Sequence, residues 1–515
     1  MKKSSVGKNT FIVGAFTSLS RVLGLIREMM QSRLIGAGVE QSAFTLAFAL
    51  PNMARKLFGE GALTAAFVPV FRGEVELGNI EQARKLANAV VTMVMTILGA
   101  VVVLTVAALS AYLNFAVIES ERLKLTLEIV RILFPYMIFI CGAAFGMGVL
   151  NALGRFKAAS FMPSLLNVIW IAALGVLCFF PGMSLALRVK FVALAILFGG
   201  LAQMVFLFRE MAKRGFAPKL SFVHFREENF KKVCRNTIIA AVGAGAIQIN
   251  YMLDQVLAQY AAPWAASVIG YAERLMDLPL GVIGVAFGTV LLPTFAGLFA
   301  RSDFEGARKA LSSSLVNLML VMLPAAAGLC VLSSDVTAVI YEGGQFDGAA
   351  TLRVSRALAV YAVGLGFFGY QKSIVPWFQA QNDMKTPLRV SVAAVVVNAA
   401  LNVLAVVYLP QEFRHVGLAA STVICALFSC ALLTILARKK NGSLRLSSSF
   451  YRVGKILCAS VLMAAVIVLV KSQLQISSPL ARLMILIPFG MLVYAIAAFI
   501  LLGREIFDFR LRKSN

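Results

Sequence analysis

Long apolar runs are the feature that most constrains what this chain can fold into. They recur from one end of the sequence to the other, each about 20 residues long and separated by short polar breaks. A helix of that length spans the hydrocarbon core of a bilayer. Only 14% of the residues are charged and 60% are hydrophobic, which excludes a soluble fold because its surface would need far more charge. The sequence therefore predicts an all-α, polytopic membrane protein.

The apolar runs predict fourteen membrane-spanning helices. They lie at about residues 11–35, 43–71, 86–113, 129–152, 160–181, 187–210, 234–259, 267–298, 311–333, 355–380, 388–409, 415–437, 453–471 and 482–502. Since the number is even, both termini lie on one side of the membrane. The first run has no small-residue cleavage site after it, so it is interpreted as a retained helix and not as a signal peptide.

The net charge of +24 follows the predicted topology. Lys and Arg concentrate at the N-terminus, in the breaks 209–235 and 438–452, and in the tail 504–513. By the positive-inside rule these segments, including both termini, are cytoplasmic. The opposite loops, such as 114–128 and 334–351, are acidic or mixed. The basic residues thus report topology and attract anionic membrane lipids, and nucleic acid is not expected as a partner.

Two loop sequences indicate an internal duplication. FVPVFRGEVELGNIEQARKL (67–86) and LLPTFAGLFARSDFEGARKAL (291–311) align at a spacing of 224 residues, so that Pro69 matches Pro293. A weaker match, NALGRFKA with QAQNDMKT, aligns at a spacing of 228. Both repeated loops read as short amphipathic helices. Each is either an interfacial helix with solvated charges or a lever that links neighbouring helices during transport.

The duplication predicts two lobes of six helices each. The predicted N-lobe covers residues 1–220, the C-lobe covers 221–440, and helices thirteen and fourteen with the tail occupy 441–515. Because six is even, the two copies enter the membrane in the same orientation, which predicts a pseudo-twofold axis along the membrane normal. Such an arrangement suits alternating access.

The first predicted helix carries charged residues that are energetically costly to place in a lipid bilayer. Each costs roughly 2.5–3.5 kcal/mol at the bilayer centre on insertion scales. Arg21, Gly24 and Glu28 share one helix face, and Arg27 lies about a third of a turn away. The glycine leaves room for a ligand or a neighbouring helix.

The second helix adds Arg55, with Gly59 one turn later. Lys56 and Glu60 are spaced to form an ion pair. Pro51 precedes these charges, where it is expected to break the helix.

The eighth helix presents a comparable pattern. Arg274 lies one turn from Asp277, which is also one turn from Glu273, and Pro279 follows. Gly24, Pro51, Gly59 and Pro279 are interpreted as hinge positions.

Two interpretations of these charges stay open. In the first, the acids Glu28, Glu60, Glu273 and Asp277 lock a closed bundle through ion pairs with the basic residues. In the second, they form a gate and the arginines bind an anion. The planar guanidinium suits phosphate oxygens, and two or three of them suit a diphosphate.

A second polar cluster is predicted in the other half of the chain. It consists of Asp254, Asn398, Asn402 and Thr422. These oxygens are suited to coordinate Na⁺ or to carry a coupling H⁺, and the alternative is hydrogen bonding between helices.

Enzyme chemistry finds little support. His224 and His415 fall in predicted loops, and no Gly-rich phosphate loop, HExxH motif or nucleophile elbow is present in the sequence. No metal-ligand spacing relates the seven cysteines, and no cofactor is expected beyond the coupling ion.

Several segments resemble one family. They are SRVLGLIRE (20–28), GAG (36–38) followed by Ala43 and Phe44, LPNMARKLFGEGALTAAFVPVF (50–71) and YAERLMDLPLGVIGVAFGTVLLP (271–293). They are similar to the signatures of the MurJ (MviN) lipid II flippases of the multidrug/oligosaccharidyl-lipid/polysaccharide exporter superfamily. The resemblance implies transport of the undecaprenyl-diphosphate-linked peptidoglycan precursor to the outer leaflet of the bacterial cytoplasmic membrane, for cell-wall synthesis.

The resemblance also implies roles for individual residues. Arg21, Arg27, Arg55 and Arg274 match the family's cavity arginines, Glu28 and Glu60 match its acidic positions, and Ser42 stands where an aspartate is usual, with Glu40 nearby. Helices thirteen and fourteen resemble a pair that forms a lipid-tail groove. The expected partners are lipid II, membrane lipids and the cell-wall synthesis machinery, and the expected state is a monomer. The competing hypotheses are an exporter of another lipid-linked oligosaccharide or a drug, and a membrane-embedded prenyl-diphosphate-sugar transferase.

Overall fold

The structure is a computed structural model that describes residues 3–59, 62–444 and 446–503, and its regular elements are helices. They are α1 (Lys3–Ile35), α2 (Val39–Ala54), α3 (Ala62–Glu76), α4 (Ile80–Phe115), α5 (Glu121–Leu133), α6 (Tyr136–Ala152), α7 (Phe156–Leu177), α8 (Leu185–Ala212), α9 (Glu228–Ala261), α10 (Ala265–Ala300), α11 (Phe304–Tyr341), α12 (Gly348–Gln379), α13 (Lys385–Tyr408), α14 (Gln411–Asn441), α15 (Ser447–Gln473) and α16 (Pro479–Leu502). A π-helical turn covers Arg55–Gly59 and a 3₁₀ turn covers Val223–Arg226. The protein is an all-helical polytopic membrane protein, as predicted.

Ten helical stretches among the described residues are long and apolar enough to cross a membrane. They are α4, α5 with α6, α7, α8 and each helix from α11 to α16. The other four predicted spans coincide with α1, α2 with α3, α9 and α10.

Two predicted spans are interrupted. The fourth is divided at Phe134 and Pro135, because proline lacks the N–H that would continue the ladder of α5. The second is divided at the π-helical turn. Pro51 does not break it: the proline is buried inside α2, and the irregular turn follows four residues later, at Arg55. The Arg55 N–H donates to both the Asn52 and Pro51 carbonyls, a shared hydrogen bond of the kind common at helix ends.

Two further sequence expectations need correction. The segment 334–351, predicted to be a loop, is helical for most of its length, since α11 continues to Tyr341 and α12 begins at Gly348. His415 is buried inside α14 and is not in a loop.

The duplicated loops share their backbone geometry. Gly78 and Ser302, 224 residues apart, both adopt left-handed conformations, with φ of +80° and +57°. The next residues, Asn79 and Asp303, each donate a backbone hydrogen bond of 2.9 Å to the carbonyl five residues earlier. Equal capping geometry at equal spacing supports the duplication inferred from sequence.

The same correspondence holds where these loops meet the rest of each repeat. Arg84 Nε donates to the Gly215 carbonyl at 2.8 Å, and Arg308 Nη2 donates to the Asn441 carbonyl at 2.7 Å. Each arginine therefore ties the start of α4 or α11 to the segment after α8 or the end of α14. The contact is compatible with both interpretations of the duplicated loops, the interfacial helix and the lever between neighbouring helices.

The chain forms two compact units, and unit 1 comprises Met1–Val256 with Gly343–Phe346. Its core is aromatic around Phe48, whose ring lies 5.9 Å from Phe44 and 5.6 Å from Trp170. At the end of α1, the Gln345 N–H donates to the Arg33 carbonyl at 2.8 Å.

Unit 2 comprises Leu257–Glu342 and Asp347–Asn515. In it, α15 and α16 pack on α11 through a small apolar cluster that contains Leu332, Met463, Ile467, Leu483 and Leu486. The cluster is closed at one end by the buried Asp335 carboxylate, which lies 2.6 Å from Lys471 Nζ and 3.0 Å from Arg482 Nη2.

Candidate functional site

Arg27 is the centre of a polar cluster between α1 and α7. Its Nη1 donates to Asn167 Oδ1 at 3.0 Å, and its Nη2 forms an ion pair with Glu28. Its guanidinium carbon lies 4.3 Å from the centre of the Trp170 ring, within cation–π distance. The Arg27 side chain is only 13% exposed. A charge that is largely removed from water is here compensated by an acid, an amide and an aromatic face.

Asn167 connects this cluster to the previous turns of α1. Its Nδ2 donates to the Ser20 carbonyl at 3.0 Å and to Ser20 Oγ at 3.4 Å. A Cβ at Gly24 would lie 3.8 Å from this nitrogen, an ordinary van der Waals distance. Gly24 is therefore next to the bridge, but this contact does not require a glycine.

Arg21 lies on the same helix in a different environment. It is exposed, whereas Arg27 and Glu28 are held at the junction with α7. The first helix thus carries one arginine fixed by neighbouring side chains and another on the surface of unit 1. The sequence allowed either ion pairing or anion binding for these arginines. Arg27 forms an ion pair, and Arg21 has the exposure that anion binding requires.

Arg55 begins the π-helical turn. Its Nε and Nη2 both donate to Asn52 Oδ1, at 3.2 and 2.9 Å, so the guanidinium is oriented by the preceding turn. The Lys56 ammonium lies 5.2 Å from the centre of the Tyr251 ring. Gly59 ends the π-helical turn, and Glu60, the predicted partner of Lys56, lies outside the described residues.

The predicted residues of the eighth helix lie on α10, in unit 2. Arg274 and Asp277 are exposed, and Glu273 accepts a hydrogen bond of 3.3 Å from the Tyr361 hydroxyl. Pro279 lies inside α10, which continues beyond it.

The predicted cation ligands are placed as follows. Asn402 Nδ2 donates to Asn398 Oδ1 at 2.9 Å, and both amides are buried. Thr422 Oγ1 donates to the Leu418 carbonyl of its own helix at 3.2 Å. Asp254, in unit 1, accepts a hydrogen bond of 3.2 Å from Asn250. The structure brings the two asparagines together in a buried environment.

Ser42, the residue that stands where an aspartate is usual, is fully buried near the start of α2. Beside it, Gln31 Nε2 donates to Gln41 Oε1 at 3.0 Å, and both side chains are buried. A neutral amide pair therefore joins α1 and α2 at this end. Glu40 remains partly exposed.

Three residues that hold or orient other groups, Asn167, Trp170 and Arg188, were not predicted from the sequence. Asn167 and Trp170 are spaced i, i+3 in an apolar span, a polar-aromatic pair that could have been noticed. Arg188 is buried, and its three nitrogens donate to the carbonyls of Leu34, Met183 and Pro181 at 2.8, 3.0 and 2.6 Å. It thereby caps the end of α1, a role that no sequence pattern predicts.

Long apolar helices that carry arginines, some compensated inside the protein and others exposed, are consistent with a polytopic membrane transporter. Comparison with known proteins identifies the family. The sequence model of the family described as lipid II flippase MurJ matches residues 31–497, and the chain belongs to this family. It is a family of transporters and not of enzymes.

Relatives match most of the chain. A probable lipid II flippase MurJ of Rhizobium tropici is 30% identical over 515 residues, covering 98% of this chain and 95% of that one. The lipid II flippase MurJ of Burkholderia cenocepacia is 32% identical over 440 residues, with 83% of each chain covered.

Solved structures support the fold. A lipid II flippase MurJ in an inward closed conformation superposes with a TM-score of 0.79 at 24% identity, over 96% of this chain and 100% of that one. A multidrug resistance transporter of the MATE family of the MOP superfamily, in an inward-facing conformation, gives a TM-score of 0.68 at 16% identity, with 83% of this chain and 96% of that chain covered.

Proposed function

We propose that this protein moves lipid II, the undecaprenyl-diphosphate-linked peptidoglycan precursor, from the inner to the outer leaflet of the bacterial cytoplasmic membrane for cell-wall synthesis. The observation that carries this proposal is membership of the lipid II flippase family over residues 31–497. The intramembrane arginines agree with it, because the substrate's diphosphate is the anion that they would bind.

The arginines have distinct proposed roles. Arg21, exposed on α1, and Arg55, oriented by Asn52, bind the diphosphate. Arg27 contributes charge from a fixed position, since Glu28, Asn167 and Trp170 hold its guanidinium. Arg274 is proposed to bind the substrate from unit 2, and Glu28, Glu60, Glu273 and Asp277 to act as gate residues.

The finer architecture is also proposed. It has fourteen membrane-spanning helices with both termini in the cytoplasm, lobes at 1–220 and 221–440 related by a pseudo-twofold axis, and a helix pair at 441–515. The equal loop geometry at spacings of 224 and 228 supports a duplication, and the distribution of Lys and Arg supports the orientation. Alternating access then carries the headgroup across while the prenyl tail stays in lipid, with Gly24, Pro51, Gly59 and Pro279 as hinges.

Transport is proposed to be coupled to Na⁺ or H⁺ through Asp254, Asn398, Asn402 and Thr422. The supporting observation is that the side-chain amides of Asn398 and Asn402 lie together in a buried environment, where amide oxygens are suited to coordinate a cation.

Depletion tests the proposed function. Cells depleted of the protein should expose lipid II to a periplasmic lipid II-cleaving enzyme at a strongly reduced rate, while cytoplasmic lipid II accumulates. An unchanged rate of exposure would refute the flippase proposal. Conversion of lipid II to a new covalent product by the purified protein would favour the transferase.

A further inference from the structure

A cavity of about 470 Å³ lies in unit 1, where α6 and α8 end and α7 begins at the predicted cytoplasmic side. Its apolar wall includes Leu150, Phe161 and Phe206, and the two phenyl rings are 6.0 Å apart. Its polar side is formed by the α6–α7 loop and the end of α8. The cavity is separate from the arginine cluster around Arg27.

The polar side of the cavity is cationic. Arg155, Lys157 and Arg214 line it, and their side chains have no hydrogen bond or ion pair within the described part of the chain. Glu210, the acid among the described lining residues, is already paired with Lys213 at 2.5 Å. Three exposed cations therefore line an amphipathic cavity, and the acid that lines it with them is paired with Lys213, which lies outside the lining.

The duplicated loop in unit 2 has a different charge arrangement on the same backbone. Arg155 corresponds to Asp383 at the spacing of 228, and the preceding residues Gly154 and Asn382 both have left-handed φ values, +71° and +57°. Arg155 and Asp383 each donate their backbone N–H to the carbonyl five residues earlier, at 2.8 and 3.0 Å. The loops are therefore structurally equivalent.

In unit 2 the chain supplies its own anion at this position. Asp383 accepts hydrogen bonds from the Thr386 N–H at 3.0 Å and the Thr386 hydroxyl at 2.9 Å, at the start of α13. It also pairs with Lys440 Nζ at 2.8 Å. A carboxylate thus lies between a helix start and a cation from the end of α14.

In unit 1 the corresponding anion is replaced by a cation. Arg84 bonds the Gly215 carbonyl as Arg308 bonds the Asn441 carbonyl, so Gly215 corresponds to Asn441. The residues immediately before them, Arg214 and Lys440, therefore correspond as well. Arg155 makes no side-chain cap at the start of α7, and the first turn of α7 has no acidic residue. The helix start and the cation are both retained, while the carboxylate that joins them in unit 2 is missing.

We propose that an external phosphate takes the place of this carboxylate, and that it belongs to the headgroup of an anionic phospholipid of the cytoplasmic leaflet. A lipid fits better than a free ion because the cavity has an apolar wall on which an acyl chain can lie. A net anionic headgroup is preferred to a zwitterionic one because the lining is cationic. This site goes beyond the proposed transport of lipid II.

Native mass spectrometry of the delipidated full-length protein, titrated with phosphatidylglycerol or phosphatidylcholine, tests the proposal. We expect one phosphatidylglycerol to bind at least about tenfold more tightly than phosphatidylcholine. Arg155→Asp, which introduces the carboxylate of unit 2, should abolish this preference by pairing internally with Arg214. Asp is favoured at helix starts, so the variant should keep its unfolding temperature, and Lys157→Gln provides a second, milder loss of charge.

The matched control is Arg209→Asp, the same charge change at an exposed position of α8 outside the cavity lining. It should retain the preference for phosphatidylglycerol. Equal binding of the two lipids, or equal loss in Arg155→Asp and Arg209→Asp, would overturn the proposal. Displacement of phosphatidylglycerol by an equimolar amount of inorganic phosphate would assign the cavity to the free ion and overturn the lipid assignment.

Discussion

At the scale of single residues, the arginines of one helix divide into fixed and exposed groups. Arg27 has an acid, an amide and an aromatic ring around its guanidinium, whereas Arg21 is exposed. The ion pair with Glu28 compensates the charge of the largely buried Arg27 in a low-dielectric environment. The fixed charge then shapes the field in which the exposed arginine meets an anion.

The first prediction concerns Asn167. Replacement of Asn167 by Ala should lower the free energy of unfolding by about 1 kcal/mol, because Arg27 loses an acceptor and Ser20 loses a donor. Unfolding of the purified protein in detergent measures the change. Asn151→Ala is the control, since Asn151 is exposed and its side chain has no hydrogen bond among the described residues. Equal stability of the two variants would contradict the role given to Asn167.

A second prediction follows from Asp383, which lies in a loop. The Lys440 ammonium that donates to its carboxylate lowers the pKa of Asp383 from 3.8 to about 2. A carboxyl whose pKa is lower in the folded state contributes stability above its unfolded value, and that contribution is lost as the pH falls from about 4 towards 2.

Asp383→Asn should therefore reduce stability at pH 7 by about 0.5–1 kcal/mol, as is typical of a partly exposed ion pair. The difference from the unmodified protein should shrink as the pH falls below about 4. Unfolding measured at several pH values checks this. A difference that is constant with pH would show that the charge of Asp383 is not responsible.

At the scale of elements, a buried carboxylate joins three helices of unit 2. Asp335 on α11 contacts Lys471 on α15 and Arg482 on α16, beside the apolar cluster around Leu486. The Tyr494 hydroxyl adds a hydrogen bond of 2.7 Å from α16 to the Leu320 carbonyl of α11. These contacts attach α15 and α16 to α11 at several points.

The third prediction is that Asp335→Ala destabilises the protein by about 3–5 kcal/mol, since two cations are left without their acid. Limited proteolysis should then cleave the segment between α14 and α15 faster than in the unmodified protein. The triple replacement Asp335→Leu, Lys471→Met and Arg482→Met removes all three charges and should recover most of the stability. If the triple variant is no more stable than Asp335→Ala, the cost does not arise from unpaired charge.

The helices could be predicted from sequence because each apolar run has one way to satisfy its backbone in lipid. Their ends were harder to predict. Asp335 was assigned to a loop because it is charged, but Lys471 and Arg482 compensate it, and the helix continues. The π-helical turn after Pro51 could not be predicted either, since its position depends on packing against α6 and not on local sequence.

The candidate site was predictable in part. The arginines on α1 stood out because charge in an apolar run is costly. The partners of Arg27 did not, because no periodicity shows which helix lies beside α1, and Asn167 is 140 residues away in sequence. The duplication, by contrast, was visible in sequence, and it explains why the loops before α4 and α11 have equal backbone geometry.

At the scale of the whole molecule, the protein is a member of the lipid II flippase family with an all-helical membrane fold. In each unit an arginine fastens a helix start to a distant backbone carbonyl: Arg84 does so for α4 and Arg308 for α11. Such contacts favour repeats that move as rigid bodies, which is what alternating access requires. The proposed transport therefore depends on a diphosphate held by exposed arginines and on motion of intact repeats.

The most direct test of this account is the rate at which lipid II becomes accessible on the outer leaflet in cells that carry only Arg21→Ala. We expect this rate to fall to that of depleted cells, with protein abundance unchanged, because the exposed arginine is proposed to bind the diphosphate. Arg72→Ala is the matched control, since Arg72 is exposed and its partner among the described residues is Glu76 of its own helix, at 2.7 Å. It should keep the normal rate. A normal rate in Arg21→Ala cells would contradict the central claim.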